Sequence, residues 1–199
     1  TAMGEAALVI DPTVDVAELA AQIHQWLGES DIDSPDRRRL LELARQALDA
    51  ASDRLPELRW GDGCLRAWSG WIVSVSEPVE DCLFPEEVVV GESAEGDWGR
   101  LDWEPADDGP GLTPGARLSG SVSGRTESVT PLNRPQKSTN KWLQEMRIPP
   151  WWRRHLLVLR SETGPVWVLP AGPLSGVTAL EGSLAEPSLR PIWRLSSSL

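Results

Sequence analysis

Glu57-Leu58-Arg59-Trp60-Gly61-Asp62-Gly63-Cys64-Leu65-Arg66-Ala67-Trp68-Ser69-Gly70-Trp71-Ile72-Val73-Ser74-Val75-Ser76 is the stretch on which the fold turns. It holds three short runs that read as strands: Glu57–Trp60, Cys64–Ser69 and Trp71–Ser76. Gly61-Asp62-Gly63 separates the first two and Ser69-Gly70 the others. Small turn residues between such runs join antiparallel strands, so the stretch predicts a β-meander.

Upstream, the hydrophobic period changes from strand-like to helical. Val16, Leu19, Ala20, Ile23, Trp26 and Leu27 recur every three to four positions and predict a helix over about 14–27, with Gly28 as its stop. Ser34-Pro35 supplies an N-cap and a first-turn proline for a second helix over about 35–52, striped by Leu40, Ala44, Ala47, Leu48 and Ala51. Thr1-Ala2-Met3-Gly4 reads as a cloning remnant from a piece of something longer and is set aside.

Downstream of residue 79, Gly and Pro become frequent and apolar runs shorten. Val88–Val90, Leu101–Trp103, Arg117–Val122, Leu156–Arg160, Val166–Leu169 and Leu189–Leu195 are strand candidates. One helix interrupts them, capped by Ser138 or Thr139 and running to about Arg147, where Ile148 before Pro149 ends it. The expected fold is therefore α+β. A domain over 1–78, a small helical hairpin plus β-meander, precedes a mostly β, barrel-like domain over 79–199 with one inserted short helix.

Charge sharpens the reading. The 199 residues carry 30 acids and 19 bases, a net −11 that at first argues against nucleic acid. Yet residues 77–108 hold twelve acids against Arg100 alone, which accounts for the whole −11, and they read as a solvated acidic loop. Residues 134–160 run the other way, with Arg134, Lys137, Lys141, Arg147, Arg153, Arg154 and Arg160 against Glu145, a net +6. Exposed charges decouple beyond a Debye length of about 10 Å, so the basic segment can act locally.

On the inserted helix, Lys137, Asn140, Lys141 and Gln144 fall on one face, and Trp142, Leu143 and Met146 on the other. Such a helix suits a phosphate backbone, and an ordinary amphipathic helix has the same pattern. Of eleven tryptophans most belong in a core. Trp151-Trp152, after two prolines, are expected to be partly exposed for stacking. Arg37, Arg38 and Arg39 open the second helix as a solvated face or a phosphate contact.

Chemistry is otherwise sparse. Ser119–Thr126 has three residues between its glycines and then Arg125, where a phosphate loop needs four and a lysine, so it reads as a turn. Cys64 and Cys82 read as buried thiols, and neither His24 nor His155 has a nucleophile beside it in sequence. No metal site is expected. No apolar run approaches the roughly 20 residues of a membrane span and no secretory signal opens the chain, so the expected compartment is the cytoplasm, without a membrane partner.

Lys141-Trp142-Leu143-Gln144-Glu145-Met146-Arg147-Ile148-Pro149-Pro150-Trp151-Trp152-Arg153 resembles the C-terminal domain of the tRNA(Ile)-lysidine synthetases, where a lysine-rich helix ends in Gln-Glu and Val-Pro-Pro-Trp with an arginine follows. The Leu156–Arg160 and Val166–Leu169 hairpin looks like the strands that follow it there. Trp26-Leu27, Ser34-Pro35 and Leu58-Arg59-Trp60 leading into Cys64-Leu65-Arg66 are similar to the family's middle domain. Ser138 and Asn140 depart from it, standing where lysines are common.

The resemblance implies a tRNA-binding fragment of a ligase that uses ATP to attach lysine to the wobble cytidine of isoleucine tRNA. The family's Ser-Gly-Gly-x-Asp-Ser pyrophosphate loop does not occur here. No catalytic residue is therefore expected in this chain and no cofactor. ATP and Mg2+ are implied for a missing N-terminal catalytic domain, itself an expected partner beside tRNA. Arg134, Lys137, Lys141, Arg147, Arg153 and Arg154 are the expected phosphate contacts, and Trp151 packs beneath or stacks. Residues 77–108 should lie off the tRNA path. The alternative is a non-catalytic β-rich module for a glycan or protein partner.

Overall fold

The computed structural model describes residues 3–30, 32–49, 54–61, 63–75, 84–107, 109–122, 128–176 and 188–194. It divides into two compact units, Met3–Glu77 and Pro78–Leu199.

In the first unit, β1 (Ala7–Val9) precedes α1 (Val16–Glu29) and α2 (Arg37–Asp49), and β2 (Glu57–Trp60), β3 (Gly63–Trp68) and β4 (Trp71–Ser74) follow. The sheet is antiparallel in the order β1-β4-β3-β2, so the predicted meander is there and gains a fourth strand. Met3 and Glu5, just before β1, are 7% and 8% exposed. Ser69 and Gly70 have φ of 51° and 81°. Two left-handed residues in succession make the turn whose twist matches the strands it joins.

Local capping explains the helix limits. The Asp15 carboxylate accepts from the Glu18 N–H at 2.8 Å and starts α1. The helix runs through Gly28, the expected stop, to a C-cap at Ser30. Asp36, not Ser34, caps α2 by accepting from the Arg39 N–H at 3.1 Å. Leu19, Ile23 and Leu27 meet Leu40, Leu43 and Ala44 above Leu58, Leu65, Ala67 and Ile72 of the sheet. Burying such side chains contributes about 1.5–3 kcal/mol each, which is what keeps helices of 14 and 13 residues formed.

Trp60 closes this core by donating its indole N–H to the Asp33 carbonyl at 2.8 Å. A Cβ on Gly63 would lie 2.4 Å from the Trp60 ring. Gly63→Ala is therefore expected to push the indole off its acceptor, with a cost of about 1–3 kcal/mol. Thermal unfolding followed by tryptophan fluorescence checks it, and an unchanged midpoint would show that the ring adapts.

In the second unit β5 (Val88–Val89), β6 (Ala94–Gly96), β7 (Gly99–Pro105), β8 (Arg117–Val122), β9 (Ser128–Val129) and β10 (Lys137–Ser138) lead to α3 (Thr139–Glu145). After it come β11 (Leu157–Ser161), β12 (Gly164–Val168), β13 (Gly172–Pro173) and β14 (Leu189–Arg194). The strands form three antiparallel sheets, ordered β13-β12-β11-β8-β5, β14-β7-β6 and β10-β9. The unit is β-rich with one inserted helix, as expected, but its sheets do not close into a barrel among the described residues. The five- and three-stranded sheets share one core, to which Val88, Leu118, Leu157 and Val166 come from the first and Leu101 from the second. Cys64 is buried, as expected; Cys82 and the 123–126 part of the would-be phosphate loop lie outside the described residues. No helix among the described residues is long and apolar enough to cross a membrane.

Candidate nucleic-acid interface

The basic segment is organised around α3. The Ser138 hydroxyl caps it, accepting from the Lys141 N–H at 3.4 Å. Trp142 and Leu143 are 2% and 0% exposed and fix the helix to the unit. Met146, expected on that same face, is 38% exposed, because the helix stops at Glu145 and leaves it at the C-cap.

The stop is a Schellman motif. The Arg147 N–H donates to the Gln144 carbonyl and the Ile148 N–H to the Leu143 carbonyl, at 3.0 and 2.9 Å. Ile148, 1% exposed, supplies the apolar residue that accompanies such a cap. The motif needs a left-handed residue, and the one here is Arg147 with φ of 54°, where glycine is usual. Holding a side chain in that region costs on the order of 1–2 kcal/mol, and strain of this sort gathers where function uses the side chain.

Pro149 and Pro150 then start a turn in which the Trp152 N–H donates to the Pro149 carbonyl at 3.1 Å. It folds Trp152 inward to 4% exposure, against the expectation that both tryptophans stay partly open, while Trp151 is half-buried. Arg153 is half-buried too, and its Nε donates to the Ile148 carbonyl at 2.9 Å. That bond ties the guanidinium to the end of α3. Burial lowers its pKa, and among the described residues no carboxylate forms an ion pair with it.

The other cations divide into two groups. Lys141, Arg147 and Arg154 are exposed. Lys137, expected on the helix face, lies instead in β10, because the chain becomes helical only at Thr139. Its Nζ meets Glu145 Oε2 at 2.7 Å, and Arg134 Nη1 approaches the same oxygen at 3.8 Å. The Lys137 hydrogen bond, with the charges of Lys137, Lys141 and Arg134, holds the Glu145 carboxyl below its ordinary pKa against the opposing effect of burial. Arg160 donates to the Ser121 hydroxyl on the neighbouring strand at 2.9 Å.

The acidic segment is only partly a solvated loop. Several of its acids sit on β7 and near β5 and meet arginines, some from outside the segment. Glu87 pairs with Arg117 at 2.9 Å, Glu104 with Arg190 at 3.0 Å and Glu95 with Arg100 at 3.5 Å. Asp102 takes Arg100 at 2.9 Å and also Arg194. A hydrogen bond from Ser93 leads in lowering the Asp102 pKa, helped by those arginines and opposed by burial.

In the first unit Arg37, Arg38 and Arg39 are exposed, and Arg39 reaches the Arg59 carbonyl. Arg38 and Arg39 share a cleft of about 370 Å³ with Glu42, Gln46 and Glu57, a lining of mixed charge. His24 does find a hydroxyl in space, with Nδ1 2.7 Å from Ser34 Oγ. The same hydroxyl lies 3.3 Å from the Pro35 carbonyl, so the contact ties the end of the α1–α2 loop to α1. No group of three or more His, Cys, Asp or Glu that could hold a metal ion occurs among the described residues.

Two family models match this α+β chain, whose cations gather at one helix end. Residues 13–73 match the TilS substrate binding domain and residues 122–180 the TilS substrate C-terminal domain, together more than half of the chain. The chain belongs to the TilS family, that of the tRNA(Ile)-lysidine synthetases. No curated protein matches it.

Proposed function

We propose that this chain holds tRNA for a lysidine synthetase, in which the lysine-to-cytidine ligation is carried out by a separate catalytic domain with ATP and Mg2+. Lys141, Arg147, Arg153 and Arg154 contact phosphates, Trp151 packs beneath the backbone or stacks, and Arg134 and Lys137 form a reserve beside them. The observation that carries the reading is Arg153: an oriented, half-buried guanidinium without a carboxylate partner among the described residues. A cation removed from water and left unneutralised is a cost that a bound anion offsets. A planar, multi-donor head suits a phosphate in particular.

The test is binding of bulk tRNA by the 199-residue chain at low and moderate salt, beside a glycan panel. Affinity for tRNA that falls steeply with salt supports the reading; salt-insensitive glycan binding without tRNA binding replaces it by the glycan module. Arg147→Gly adds an internal check. Relieving the left-handed strain should raise the melting temperature, while the lost cation should weaken tRNA binding. Parallel loss of both would mean that Arg147 is structural.

A further inference from the structure

Arg134, Lys137 and Lys141 come from a turn, a strand and a helix, and all three act on Glu145, the last residue of α3. Arg134 and Lys137 address one atom of it, Oε2. Cations brought together without an anion repel each other, so the carboxylate keeps them assembled in the free protein. It also cancels one charge that a phosphate would otherwise meet. Arg134 and Glu145 have side chains 55% and 38% exposed, and an ion pair this open is worth little in water, whereas Lys137, 17% exposed, holds the carboxylate at 2.7 Å more firmly. For Arg134 the exchange of this carboxylate for another anion is therefore nearly balanced, and for Lys137 it needs an anion that reaches as close as the carboxylate does.

Resting on the tRNA-holding reading, we propose that Glu145 is a built-in stand-in for an RNA phosphate. It preassembles Arg134 and Lys137 while the surface is empty and gives them up when the backbone arrives. The device lowers affinity for any polyanion that cannot displace it and favours release of a modified product. Glu145 is thus a positioning residue that acts through its cations.

Glu145→Gln keeps an acceptor for Lys137 and removes the competing charge. Binding of bulk tRNA by the 199-residue chain should become several-fold tighter at low salt. The slope of log K against log salt should steepen by about 0.9 for each cation released. Glu145→Asp should keep the original slope. Weaker or unchanged binding by Glu145→Gln overturns the proposal, provided that Arg153→Ala weakens binding in the same assay. If neither variant changes tRNA binding, the RNA reading itself fails.

Discussion

Trp142→Ala should destabilise the second unit by about 3–5 kcal/mol and remove most tRNA binding with it. A helix of seven residues does not persist on its own in water. α3 exists because Trp142 and Leu143 are packed to 2% and 0% exposure. The same packing sets the end of the helix, and the end places Arg147 and Arg153. Urea unfolding should show a lower midpoint, and tRNA titration a loss larger than any single cation produces. Trp142→Phe keeps most of the buried area and should retain most of both. A Trp142→Ala chain of undiminished stability would mean that something other than this side chain seats the helix.

Arg153→Ala has the second-largest expected effect, and it falls on binding rather than folding. A hydrogen bond to a charged group contributes about 1.5–3 kcal/mol, so affinity for tRNA should drop about ten- to a hundredfold. The salt slope should flatten by about 0.9. Arg134→Ala should cost less, since Glu145 already occupies that cation. Arg153→Lys should restore only part of the loss, because an ammonium cannot both hold the Ile148 carbonyl and present a planar fork. An Arg153→Ala chain with wild-type affinity and slope would remove this residue from the interface.

Sequence alone carried the meander, the helical hairpin and the inserted helix, because each has a period or a turn signal of its own. It missed β1, β6, β9, β10 and β13, which are two or three residues long and too short to show a period of their own; β1 in addition pairs with β4, more than sixty residues on. Ser34-Pro35 looked like a cap and was displaced by Asp36 two residues on, since several oxygen-bearing residues compete in one loop. The Glu145 cluster was invisible for a related reason. Arg134 and Lys137 lie eleven and eight positions before Glu145 and reach it by a turn and a strand, not along one helix. Trp152 was misjudged because two prolines suggest an extended exposed run, whereas the chain turns there and buries the second indole. The half-burial of Arg153 likewise depends on how that turn closes.

The ladder between β7 and β14 has a consequence for how the second unit is made. Glu104 and Arg190, 86 residues apart, form one rung, and Asp102 and Arg194 are 92 apart. Leu112 and Leu189 exchange backbone hydrogen bonds beside them, at 2.7 and 2.9 Å. Closing a loop of this length is an entropic cost met before any rung rewards it, and such distant pairing slows folding. On a ribosome the three-stranded sheet cannot be completed until β14 has been synthesised. Until then Leu101 and Leu112, both 0% exposed in the finished fold, lack part of their cover. The nascent unit thus passes through an interval in which it is sticky, and the like charges crowded around β7 offer the growing chain a measure of protection from self-association during that wait.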